Sequence, residues 1–162
     1  KGTRITFDIY GPGSLKIPSQ QEIPGVTFKG ILLQDQVQKT IAQYDLMILP
    51  SRHDGWGVVV NEALLQGVPV LVSDEAGASC LVTAMQAGMQ FKSGDLDNLK
   101  AHLKLLLDDE TLLPVLRLNA QKVGKMITPE IAAQYLVDVL RFYFDSDQSG
   151  VFPKAIWCED LL

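Results

Sequence analysis

Two spacings of apolar residues alternate along this chain. RITFDIYG, Arg4–Gly11, sets Ile5, Phe7 and Ile9 on one face, which predicts a strand closed by the turn Gly11-Pro12-Gly13. VTFKG, Val26–Gly30, predicts a second short strand. Between Leu33 and Tyr44 the spacing lengthens: Leu33, Val37 and Ile41 mark one face of a helix. DLMILP, Asp45–Pro50, is largely apolar, as expected of a strand covered on both sides. A helix is predicted from Gly57 to Gln66, stopped by Gly67 and Pro69. PVLVSD, Pro69–Asp74, reads as a fourth, buried strand, with Ser73-Asp74 placed to cap the helix after it. GMQFKSGD, Gly88–Asp95, contains a short fifth strand.

The remainder is helical. Leu96, Leu99, Leu103, Leu106 and Leu107 form an apolar stripe over Asp95–Leu107. A second helix is predicted over Asp109–Lys125, weakened early by Pro114. Thr128-Pro129 opens the last, with Thr as cap and Pro at the first helical position. It is expected to run to about Asp145 with Ile131, Tyr135, Leu136, Val139 and Tyr143 inward. Strands alternating with helices predict an α/β fold: a Rossmann-like, doubly wound parallel sheet with helices on both faces. The expected division is a binding domain over 1–145, then a linker and tail over 146–162 in which Phe152 and Trp157 pack on something.

Composition narrows the function. The 162 residues suit one domain, and 47% hydrophobic with 20% charged residues is ordinary for a globular chain. A net charge of −5 argues against nucleic acid and anionic membrane as partners. Cys80 and Cys158 read as two reduced thiols rather than half of a zinc site. No apolar run reaches the roughly 18 residues of a membrane span. The first residue is Lys1 and a strand follows almost at once, so the chain reads as a fragment of a longer protein.

The chemistry concentrates after the third strand, in SRHDGWGVVVNEALLQG. In parallel sheets ligands bind beyond the carboxyl ends of the strands. Here a glycine-flanked loop opens a helix, where free N–H groups and the positive dipole end favour an anion, most often phosphate. Glycine removes the Cβ that would keep a ligand off the backbone. Asp54 precedes the helix, and Glu62 lies about five residues in, roughly 7–8 Å along the axis. Carboxylates only accept hydrogen bonds and repel phosphate, so this pair suits hydroxyl groups on either side of it. A diphosphate carrying a polyol at each end fits: Glu62 on the ribose, Asp54 on a transferred sugar. The plainer alternative has Asp54 as a helix cap and Glu62 as a solvated face residue. Against it stands the apolar run Val58-Val59-Val60, which makes this helix a poor amphipath.

The ordered set Pro50-Ser51, Asp54-Gly55-Trp56-Gly57, Glu62-Ala63, Gly67-Val68-Pro69-Val70 and Ala76-Gly77 resembles the donor-binding domain of retaining glycosyltransferases of the two-domain GT-B fold, group 1/family 4 type. FDIYGPG, VTFKG, YDLMILPS and Ser93-Gly94-Asp95 extend the resemblance over most of the chain. It implies metal-independent, front-face sugar transfer from a nucleotide-diphosphate sugar, with no cofactor. It assigns catalytic-centre roles to Asp54 and Glu62, and donor contacts to Gly11, Gly13, Ser51, Arg52, Gly55, Trp56, Gly57 and Gly77. It further implies polysaccharide or glycolipid synthesis in the cytoplasm, or at the inner face of the membrane without integral contact.

There are departures. Asp54 stands where the family has glutamate, and Cys80 where the family often has another glutamate. The family's leading strand and helix are missing, as is the acceptor domain, so this fragment is expected to be inactive alone. An incomplete sheet would expose an edge through which chains could pair. Arg52 is either a charge on the diphosphate or loop surface, and His53 either an acid–base group or polar surface. His102, among Lys100 and Lys104, reads as a solvated face. Two other functions fit the pattern: a nucleotide-sugar epimerase of the same fold, or a non-catalytic phosphate-binding, receiver-like module. A receiver needs a carboxylate at the end of its third strand, whereas Asp45 begins one here.

Overall fold

The computed structural model describes residues 5–12, 23–144 and 151–154. Strands β1 (Phe7–Tyr10) and β2 (Val26–Gly30) precede helix α1 (Gln34–Ile41). Then come β3 (Met47–Leu49), α2 (Val58–Leu65), β4 (Val70–Ser73), α3 (Ser79–Ala84) and β5 (Gly88–Phe91). Helices α4 (Leu96–Asp108), α5 (Leu112–Met126) and α6 (Pro129–Phe144) follow. Each predicted element is present, within a few residues at its ends.

All strand pairs are parallel, but they form two sheets. β1 pairs with β2, and β3-β4-β5 form the other. No ladder joins β1 to β3 among the described residues. The doubly wound expectation therefore holds as alternating parallel strands and helices, and the sheet is divided. The link between the parts is polar. The Tyr44 hydroxyl donates to Asp8 Oδ2 at 2.6 Å and lies 2.8 Å from the Tyr10 hydroxyl, while Lys29 Nζ stands 3.6 Å from the same carboxylate oxygen. Burial and the bond to Asp8 push the Tyr44 phenol above its usual range.

The core lies in the three-stranded sheet. Every residue of β4 is fully buried, and its neighbours Val60, Ala63, Leu64 and Val68 are too. Full burial of each Val or Leu here contributes about 1.5–3 kcal/mol. β4 is central, which explains why PVLVSD reads as a continuous apolar run. Helix α5 packs across α2, with Ala120 and Val123 in the same cluster. By contrast Phe7, Ile9 and Phe28 of β1 and β2 remain 37%, 42% and 55% exposed.

Several local expectations change. Ser73 and Asp74 do not cap α3. Ser73 Oγ accepts from the Glu75 amide, and Asp74 Oδ1 accepts from the Ser93 amide. Asp109 precedes α5 rather than beginning it: its carboxylate accepts the amide (2.9 Å) and hydroxyl (2.7 Å) of Thr111. Pro114 then falls in the first turn of α5, where no intrahelical N–H bond is lost. The α4 stripe is split: Leu106 is buried, Leu99 and Leu103 are half-buried, and Leu96 and Leu107 are exposed. Helix α6 starts as predicted, with Thr128 Oγ1 accepting from the Ile131 amide, yet none of its residues is buried. Leu136 and Tyr143, expected inward, are exposed. Phe152 does pack, edge-on to Phe142 and Tyr143 with centroids 5.3 and 6.1 Å away. The predicted linker 146–150, Trp157, Cys158 and Gly13 lie outside the described residues.

Candidate functional site

The loops that leave β3, β4 and β5 converge. Asp54 and Ala76 form an isolated parallel bridge beyond the strand ends. The Asp54 amide donates to the Glu75 carbonyl, the Gly77 amide to the Asp54 carbonyl (3.2 Å), and the Ala78 amide to the Trp56 carbonyl (2.7 Å). From the β5 side, the Ser93 amide donates to Asp74 Oδ1 at 2.7 Å and the Ser93 hydroxyl reaches the Ser51 carbonyl at 3.5 Å. Three loops are thereby stitched into one rim. Asp74 and Ser93 set this geometry and were not among the predicted site residues; their signal was the placement of each at a strand end.

Glycine makes the rim possible at two positions for different reasons. Gly57 caps α2 with φ +84°, a left-handed conformation that side chains resist. A Cβ there would also stand 3.1 Å from Leu49 Cδ2. Gly77 needs no unusual dihedral. Its missing Cβ would overlap the Gly55 carbonyl oxygen. The expectation that Gly77 opens its backbone to a ligand is therefore corrected: the space is filled by the neighbouring loop, and its amide is bonded to Asp54. Gly55 is the open one, with nothing within 4 Å of its Cβ position.

What remains available is the start of α2. Among the described residues the amides of Gly57, Val58 and Val59 carry no hydrogen bond, as expected of first-turn donors. Asp54 flanks them, with Oδ1 accepting the Trp56 amide at 3.2 Å. The plainer reading expected Asp54 to cap α2; its bond instead closes a turn ahead of the helix, whose N-cap Gly57 has no side-chain cap, and Oδ2 is left without a partner among the described residues. Glu62 is half-buried, and its carboxylate has no hydrogen bond or ion pair among the described residues. Arg52 and His53 are exposed and unpaired there as well. Trp56 is 47% exposed, with its indole N–H donating to Asn61 Oδ1 at 2.8 Å.

Ser51, Asp54, Gly55, Trp56, Gly57 and Gly77 are thus brought together, and Glu62 follows on the same helix. Gly11 is not joined to them by a hydrogen bond. It ends β1, where its amide bonds the Gly30 carbonyl. Asp45 lies before β3 and pairs with Arg117 at 3.3 Å, at the other end of the strand. His102 Nδ1 stays on its own helix, 2.8 Å from the Asn98 carbonyl. A hollow of about 440 Å³ lined by Met85, Gln86, Asn119, Lys122 and Met126 lies apart from these loops and contains no carboxylate. Among the described residues no three His, Cys, Asp or Glu side chains group as metal ligands, and no helix is long and apolar enough to cross a membrane.

The family model described as "Glycosyl transferases group 1" matches residues 1–109, about two thirds of the chain. The chain belongs to this family. Curated relatives include the sulfoquinovosyl transferase SQD2 of Arabidopsis thaliana, 30% identical over 65% of this chain and 21% of that protein. A GDP-mannose-dependent alpha-mannosyltransferase of Mycobacterium tuberculosis is 27% identical over 58% of this chain and 25% of that protein. The chain therefore spans about a fifth to a quarter of these group 1 relatives. Among solved structures, sucrose-phosphate synthase from Thermosynechococcus elongatus superposes with a TM-score of 0.63 at 22% identity, over 74% of this chain and 30% of that one. HepE from Anabaena, in complex with UDP and glucose, gives 0.61 at 23% identity, over 70% and 31%. These likenesses place the fold among glycosyltransferases.

Proposed function

We propose that this chain is the donor-binding part of a retaining glycosyltransferase that moves a sugar from a nucleotide diphosphate to an acceptor, in polysaccharide or glycolipid synthesis. The observation that carries the reading is the start of α2: among the described residues, three unbonded amides between two carboxylates, one wholly unpartnered and one half free. The group 1 family supports it, as do UDP in the HepE structure and the GDP-mannose named for the mycobacterial relative.

In this mechanism the pyrophosphate sits on the amides of Gly57, Val58 and Val59. Fixed donors there stabilise charge as it grows on the leaving diphosphate. Arg52, exposed and without a partner among the described residues, supplies a cation to the same group. Glu62 accepts from the ribose hydroxyls. Asp54 offers Oδ2 to a hydroxyl of the transferred sugar and orients it, without attacking the anomeric carbon. Neither a metal nor a cofactor is assigned to these residues. The acceptor site belongs to the remainder of a longer polypeptide, which works in the cytoplasm or at the inner membrane face.

The test is calorimetric titration of the chain with UDP-glucose, GDP-mannose and inorganic phosphate, beside Glu62→Ala. Binding of one nucleotide sugar with affinity above phosphate, weakened about tenfold or more by Glu62→Ala, is expected from loss of hydrogen bonds to a charged group. Preference for phosphate over both nucleotides would instead indicate a phosphate-binding module.

A further inference from the structure

Trp56 is exposed yet held at three points, two on its backbone and one on its ring. Its amide donates to Asp54 Oδ1 (3.2 Å), its carbonyl accepts from Ala78 (2.7 Å), and its ring N–H donates to Asn61 Oδ1 (2.8 Å). The ring's one polar atom is therefore occupied, and what remains accessible, at 47% exposure, is apolar π surface. Helical geometry fixes which way it lies. At about 100° per residue, Val58, Asn61 and Glu62 share an arc of about 100° on α2. The opposite face, Val60, Ala63 and Leu64, is fully buried. So the indole begins beside Asp54 and lies on the face that presents Glu62.

A pyranose has hydroxyls around its rim and C–H groups on its faces. A rigid aromatic plane beside hydroxyl-accepting carboxylates complements both at once, since the ring face is negative and attracts C–H. We propose that the Trp56 indole, held in place by Asn61, is the platform on which the C–H face of the donor's hexose stacks. It thereby distinguishes a sugar nucleotide from the bare nucleotide diphosphate. The proposal rests on the donor-site reading above. Asn61 is a positioning residue; a phenyl ring at position 56 could stack but could not be tethered by it.

The experiment titrates the 162-residue chain and its W56A, W56F and N61A variants with UDP, UDP-glucose, GDP and GDP-mannose by calorimetry, with thermal melts as a control on folding. For whichever sugar nucleotide binds, W56A is expected to weaken affinity roughly 5- to 30-fold, the scale of aromatic stacking. The matching bare diphosphate should change less than about twofold on the same scale. W56F should recover most of the loss, and N61A should lie between. Equal losses for the sugar nucleotide and its bare diphosphate would place the ring on the base and overturn the proposal. So would unchanged discrimination in W56A. A wild-type chain that binds none of the four removes the donor-site reading itself, and the platform with it.

Discussion

Gly77→Ala should damage the rim from within. The added Cβ would overlap the Gly55 carbonyl oxygen and stand 3.3 Å from both the Gly55 carbonyl carbon and Trp56 Cα. All are backbone atoms, so no side-chain rotation relieves the overlap, and the two loops must separate. Overpacking of this kind costs about 1–3 kcal/mol. Separation also loosens two hydrogen bonds, Gly77 to Asp54 and Ala78 to Trp56, each contributing about 0.5–1.5 kcal/mol. Together these give a loss of roughly 2–6 kcal/mol, which for a chain of this size lowers Tm by roughly 4–24 °C. Gly55→Ala is the internal control, because no atom lies within 4 Å of its Cβ position and its φ is not positive. It should stay within about 0.5 kcal/mol of the unchanged chain. Urea denaturation followed by circular dichroism measures both. Equal midpoints for Gly77→Ala and Gly55→Ala would refute the claim that close loop contact, rather than ligand approach, demands glycine at position 77.

Tyr44→Phe removes the donor to Asp8 and should cost about 1–3 kcal/mol, with faster amide exchange in β1 and β2 than elsewhere. Because the folded phenol is raised, the stabilisation is full below the unfolded pKa near 10 and fades as pH rises through the folded value. The Tm gap between the two chains should therefore narrow only at strongly alkaline pH; a gap that closes near neutrality contradicts the tyrosine–aspartate bond. Asp109→Ala tests the opposite sign: the Thr111 hydroxyl and then its amide hold this carboxyl below its usual range. The wild-type advantage should be complete at neutral pH and disappear as acid titrates through the folded value, below about pH 4. An advantage undiminished at pH 2 would contradict it. The open edge of β3 should support association between chains: Met47 donates to Pro69, so the Ile48 amide faces away from β4. Sedimentation velocity should show concentration-dependent dimers weakened by Ile48→Lys, and a monomer at all concentrations would exclude that contact.

Element order was legible because the apolar spacing changes wherever the structure changes. PVLVSD reads as buried and is, since a central parallel strand must be apolar on both sides. Helix α6 shows the limit of the same signal. Its stripe predicts an inward face, yet a stripe states only that a helix can pack: Ile131, Tyr135 and Val139 are half-buried, while Leu136 and Tyr143 stay exposed. The division of the sheet was not legible, because periodicity identifies strands without naming their neighbours. Leucines at 96 and 107 misled for a related reason: apolar residues occupy much of any protein surface.

The candidate site was legible in its residue types and less so in their roles. Asp54, Gly55, Trp56 and Gly57 do meet at the strand ends, as the ordered motif required. Their glycines are not equivalent, however, and the sequence writes all of them with the same letter. Gly57 answers to a dihedral, Gly77 to a neighbouring carbonyl, and only Gly55 faces open space. Asp54 is divided in a similar way, one oxygen fixing the Trp56 amide and the other free among the described residues. That division bears on its being aspartate. A carboxylate on a short stem closes a two-residue turn onto its own loop, as Asp commonly does. The bonded oxygen then fixes how the carboxylate sits on its own loop. A glutamate at this position would reach further but lose the turn, so Asp54→Glu should loosen Trp56 as well as the carboxylate. Loss of sugar-nucleotide affinity accompanied by faster amide exchange at Trp56 would show that both effects come from one bond. Faster exchange at Trp56 with unchanged affinity would show that Asp54 serves the loop alone.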